Sequence, residues 1–288
     1  MAVLRNSCRD SSSKQPVVLY TRMSKFAVLP LAGILALISA AVSPTAAQSS
    51  IQRIGGAKPH PGVAAVNSGT FATQSAKFGV SQLGHTVGTA EFRFSASAAG
   101  VDSSSTVQIS MQGLDYALSK TEVLDEGNHI QHVVLSATVN GQAVNVTGKP
   151  DASDFLLNIS ANGRSSTTRL AGHSNAVFLP DFDPGGLQTL LTLGERHNNR
   201  DLWAILPKQA GSVEPVQLAT YADEQGTLDG KAIAVHHLIA TIAETDTDLF
   251  AGPENQLLQA ELPQQGFSLT RKGFVLTPPK RPIAPAGQ

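Results

Sequence analysis

Apolar and polar residues alternate with a period of two along most of the chain beyond residue 84, the pattern of half-buried β-strands. Ala90, Phe92 and Phe94 alternate with Glu91, Arg93 and Ser95, and Val107, Ile109 and Met111 alternate with Gln108 and Ser110. Leu114, Tyr116 and Leu118 carry the pattern past Gly113. Asn140-Gly141 is the dipeptide that most readily adopts positive φ at both central positions of a type I′ turn, so it predicts a hairpin. A two-residue loop there pairs Val139 with Gln142, Ala137 with Val144 and Leu135 with Val146. One face then collects Val133, Leu135, Ala137, Val139, Val144 and Val146, and the other Ser136, Thr138, Ala143 and Asn145. Turn chemistry and hydrophobic pattern agree on a single register. A second hairpin is predicted at Asn162-Gly163, where Phe155, Leu157 and Ile159 face Ser166, Thr168 and Leu170. That half-apolar face suits a sheet edge or the wall of a wet groove.

The period changes once. Asp183 as N-cap, Pro184 at the first helical position, then Leu187, Leu190, Leu191 and Leu193 before Gly194, predict a helix over about residues 184–193. Strands resume over 202–206, 213–220, 231–242, 256–261 and 268–276. The expected fold is mainly β: a curved antiparallel sheet or half-open barrel of about ten strands, with the helix covering its concave side. The alternative is two small β domains divided near residues 180–194. Residues 48–83, rich in Gly, Ala, Ser and Gln, read as a poorly ordered lead-in to a β-rich domain at 84–276. Residues 277–288 read as a loose Pro-rich tail.

The amino-terminal region follows a different rule. After Met23 and Lys25 comes an apolar run over 26–42, then Thr45 and Ala47 at the two small-residue recognition positions of a signal-peptide cleavage site. Export from Met23 with cleavage after Ala47 is the expectation, with 1–22 an extended or misassigned start. The run is 17 residues long and interrupted by Pro30 and Gly33, against roughly 20 needed for a spanning helix, so no transmembrane anchor is expected after cleavage. The single cysteine, Cys8, lies ahead of this segment, so the exported protein would have no disulfide, lipidated cysteine or thiolate ligand. The chain holds 21 Lys and Arg against 22 Asp and Glu; without residues 1–47 the balance is about −5. With no basic block and 5% aromatics, nucleic acid is excluded as the expected partner.

Five segments carry a resemblance: residues 84–92 (Gly-His-Thr-Val-Gly-Thr-Ala-Glu-Phe), the Asn140-Gly141 hairpin, 178–182, 230–237, and 257–263 continuing to Arg271. They resemble uncharacterised bacterial exported β-rich envelope proteins, which are similar in outline to the half-open β-barrel of periplasmic lipoprotein carriers. The resemblance spans residues 84–276. It implies a helix-lined, unclosed barrel in the periplasm or outside the cell, able to hold an acyl chain or another lipophilic ligand.

Candidate chemistry is sparse. His129 and His132, three apart, fall on opposite faces of a strand, as do His236 and His237. Ser81 lies in Gly79-Val80-Ser81-Gln82-Leu83-Gly84, one residue too long for a nucleophile elbow. Asp181 and Asp183 could begin a calcium loop, but its later ligands are missing and capping the helix explains Asp183. The sequons at Asn145 and Asn158 fall within predicted strands. No catalytic residue, metal site or cofactor is assigned. The expected function is non-enzymatic binding of a lipid, another apolar small molecule or an envelope protein. Leu187, Leu190, Leu191 and His237 would line the site, and Arg271 would meet a head group at its mouth. The rival expectations are a secreted hydrolase whose Ser, His and Asp meet only in the fold, and a structural or adhesion module with a filled core.

Overall fold

The computed structural model describes residues 73–278 apart from 99 and 209; the expected signal peptide, its cleavage point and most of the tail lie outside them. Strand β1 (Gln74–Gln82) opens a chain of hairpins: β2 (His85–Ser97), β3 (Gly100–Met111), β4 (Leu114–Leu124), β5 (Ile130–Val139), β6 (Gln142–Asp151), β7 (Asp154–Ala161) and β8 (Arg164–Ala171). Each strand pairs antiparallel with the next. The lead-in expected over 48–83 therefore holds a strand, whose alternating Ala76, Phe78 and Val80 are buried. The Asn140-Gly141 hairpin has the expected register, Leu135 opposite Val146 and Ala137 opposite Val144. Asn140 takes φ 49 and Gly141 φ 80, as a type I′ turn requires.

Among the described residues strand β8 has a ladder with β7 alone and is polar and mostly exposed, so the half-apolar face marks a sheet edge. The chain then crosses through β9 (Ala176–Phe178) into helix α1 (Pro184–Arg196). It returns through β10 (Leu202–Leu206), which runs parallel to β9, and then β11 (Ser212–Thr220), β12 (Glu224–Leu228), β13 (Lys231–Ile242), β14 (Thr245–Ala251), β15 (Leu257–Leu262), β16 (Phe267–Arg271) and β17 (Phe274–Leu276). The strand expected over 268–276 is thus two, turned at Gly273 with φ 83.

Strand β16 pairs with β1. With the β9–β10 pairing, this one places strands from both sides of residues 180–194 in a single mixed sheet. Among the described residues there are seventeen strands where about ten were expected, because the sequence pattern merges β16 with β17 and passes over β1, β9, β12 and β14. The sheet curves but does not close. Its far edge, β9, tucks inside the curl, with Val177 and Phe178 buried. Rolling one edge inward hides backbone groups that would otherwise template aggregation.

The helix fills the concave side. Leu187, Leu190, Leu191 and Leu193 join a core that includes Phe78, Phe92, Phe94, Leu118, Val146, Leu157, Leu202, Leu249 and Leu269. Ten of its residues are buried, including Gln188 and Thr189, so water touches little of it. Gln188 compensates for its burial by donating to Asn255 O at 3.0 Å and accepting from Leu257 N at 2.7 Å. Gly185 lets the helix approach the sheet: a Cβ there would lie 2.2 Å from Ser105 Oγ. A second, smaller core of Val235, Phe250, Leu258 and Phe274 sits on the opposite face of β14 and β15.

Candidate functional site

The loop between β9 and α1 organises a pocket of about 240 Å³. Leu179, Pro180, Asp181, Phe182 and Asp183 form one wall, continued by Leu187 in the first turns of α1. Opposite stand Leu206, Ile242, Leu262 and Leu269, contributed by β10, β13, β15 and β16. Ile242 and Leu269 belong to the buried core, and Leu206 and Leu262 pack against it half-buried. Thr245, Thr247, Gln265 and Lys208 supply a polar fringe. Lys208 Nζ lies 2.7 Å from Asp181 Oδ1.

Three further contacts hold the loop. Tyr116 Oη donates to Asp181 O at 3.2 Å. Burial, then the carboxylates of Asp181 and Asp183, push the Tyr116 phenol far above its ordinary value, so it stays protonated and donating. Phe182 packs edge-on against Tyr116 at 5.9 Å and tilted against Phe267 at 4.8 Å. Its backbone sits at φ 59, a left-handed conformation costly for a bulky residue and maintained only because these neighbours fix it.

The third contact is a buried charge cluster. Asp183 caps α1, its Oδ1 accepting from Gly185 N at 3.0 Å. Its Oδ2 lies 2.6 Å from Lys120 Nζ, a direct ion pair. Lys120 also donates to Glu122 Oε2 at 3.1 Å and, weakly, to Phe178 O at 3.5 Å. Lys120 and Asp183 side chains are 0% exposed and that of Glu122 is 1%. Burial alone would lower the Lys120 pKa, but Asp183 and Glu122 more than offset it, leaving the ammonium above the ordinary lysine value. Glu122 moves up: burial raises it and Lys120 only partly draws it back. Ser103 and Ser105 stand opposite Glu122 and Lys120 on the neighbouring strand, and their hydroxyls and Glu122 Oε1 have no protein partner.

The expected site residues separate. Leu187 lines the pocket, while Leu190 and Leu191 are buried in the core beneath the helix. His237 pairs across β13 and β14 with Phe250, which belongs to the core on the far side of the sheet from α1, and stacks on its ring at 4.7 Å. There its Nε2 meets Asp248 Oδ1 at 2.8 Å and its Nδ1 Glu224 Oε1 at 3.5 Å. Arg271 ends β16 two residues past Leu269, outside the pocket lining, half-buried and donating to Gln256 Oε1 at 2.6 Å. Burial lowers its pKa and Asp229 partly restores it.

Asp183 caps the helix, as its place before Pro184 predicted, and also neutralises Lys120. His129 and His236 bind Asp125 and Asp223. Among the described residues no serine hydroxyl joins these histidine–carboxylate pairs, and no three His, Cys, Asp or Glu side chains gather as a metal site. No described helix is long and apolar enough to cross a membrane.

Sequence reasoning missed Lys120, Glu122, Ser103 and Ser105, though a signal existed. Continuing the period of Tyr116 and Leu118 by two steps puts Lys120 and Glu122 on the inner face. Stepping back from Ile109 and Val107 does the same for Ser105 and Ser103. Compared with known proteins, the chain matches no family model, no curated protein and no solved structure.

Proposed function

We propose that the protein binds a lipophilic ligand, of the acyl-chain kind, in the pocket between the Leu179–Asp183 loop and the inner ends of β10, β13, β15 and β16. One observation carries this reading: the pocket lies against core residues, and its apolar lining of Leu179, Phe182, Leu206 and Leu262 packs on that core while staying half-buried. Pockets that take small molecules combine such walls with a few polar groups that fix orientation. At about 240 Å³ the pocket lies just below the usual range of roughly 300–1,000 Å³, so it suits one chain and not a branched lipid. Binding would be an exchange in which the ligand takes the place of the strained loop and of Leu187, while Leu190 and Leu191 anchor the helix. The signal-peptide pattern of residues 23–47 favours action in the periplasm or outside the cell, in line with the resemblance to envelope proteins and lipoprotein carriers.

Native mass spectrometry of the purified protein, with titration of a fluorescent acyl probe, tests this. The reading expects a bound or acquired acyl ligand, and loss of probe binding in Leu206→Trp, which fills the pocket. Apo protein throughout and no probe binding would contradict it.

A further inference from the structure

The pocket's inner wall points to the chemical class of its ligand. Asp183 is both a lining residue and the partner of Lys120, whose charge is fully buried behind it. A buried ammonium requires a countercharge, and of the two it has, Glu122 and Asp183, the second is a carboxylate carried on a loop held by a strained residue. Next to Lys120 lie Ser103 and Ser105, each buried with no protein partner for its hydroxyl. A serine hydroxyl donates as readily as it accepts. One ammonium and two free hydroxyls on adjacent strands therefore make a donor set for an oxyanion, occupied on one side by the protein's own carboxylate. Glu122 narrows the choice. Because it already shares Lys120, the site takes one anionic group in exchange for Asp183 and not beside it.

Resting on the ligand reading above, we infer that the pocket takes a single-chain amphiphile with a terminal carboxylate, whose head replaces Asp183 at Lys120 and the two serines. The tail then lies along Leu206, Leu262 and Leu269. Because Asp183 also caps α1, seating the head releases the helix start, so head-group recognition and loop opening are one event. A pocket of about 240 Å³ holds about eight groups of the size of water or methylene, which sets the chain length of the probe.

The test is binding of octanoate against octanol by calorimetry at neutral pH. Octanoate is expected to bind at least about tenfold more tightly, a preference of about 1.4 kcal/mol. Asp183→Asn, which keeps a capping side chain but frees Lys120, is expected to widen that preference several-fold. Equal binding of acid and alcohol, or a preference unchanged in Asp183→Asn, overturns the head-group assignment while leaving an apolar pocket. Binding of neither overturns the ligand reading itself.

Discussion

Two charge clusters on the same sheet stand in opposite relation to water. Lys120, Asp183 and Glu122 lie on the concave face with essentially no exposure, one cation against two acids, and leave Glu122 Oε1 and two serine hydroxyls unpartnered. His237, Asp248 and Glu224 lie on the opposite face, about one-fifth to one-quarter exposed, with both imidazole nitrogens matched. Residue types alone do not separate these clusters, since each could be drawn as an ion-paired triad. Burial does: in the first each group depends on its neighbour to remain charged, while in the second solvent supplies most of what a lost partner would. The incompletely satisfied cluster is also the one beside a pocket.

Substitutions can break this contrast in graded steps. Lys120→Met has the largest expected effect, a loss of about 3–5 kcal/mol, because it leaves two buried carboxylates without a countercharge. Urea unfolding measures it, and adding Asp183→Asn with Glu122→Gln should restore much of the loss by neutralising those acids. Glu122→Gln acts through pH. The native state holds the Glu122 proton more tightly than the unfolded chain, so this group's contribution is fully present below its unfolded value near 4.5 and is lost as pH rises through the raised native value. Wild-type stability should fall across that window by up to about 1.4 kcal/mol per pH unit, and the variant should lose that slope. His237→Asn is expected to cost about 1 kcal/mol or less, with a dependence on salt that the Lys120 variant lacks. Arg169→Ala, which removes 2.6 Å and 3.5 Å contacts to Asp151 and Asp154 from a 60% exposed side chain, should stay within about 0.5 kcal/mol by the same unfolding assay.

The contrast also marks how far the sequence could be read. Local features were legible: the register of β5 on β6 follows from Asn140-Gly141 and alternating valines, the limits of β10 and β13 match, and Asp183 caps the helix. Features that depend on distant partners were not. Strand β1 has a clear Ala76, Phe78, Val80 stripe that Gly79 with its Ser and Gln neighbours masks, and beyond its hairpin with β2 it pairs with β16, almost two hundred residues along the chain. Lys120 and Glu122 looked like the end of an apolar stripe because Asp183, the residue that permits their burial, arrives from another element. His237 shows the reverse error. An unusual residue in a strand was assigned to the ligand side, when the parity shared by Val235 and Phe250 sets it on the other face.

The most direct measurement is hydrogen exchange at the backbone amides of α1, with and without octanoate. Exchange of ligand for the loop predicts that the first turn, around Gly185 to Leu187, loses protection on binding while Leu190 to Leu193 keep theirs. Unchanged or increased protection at the helix start in a saturated complex would contradict it.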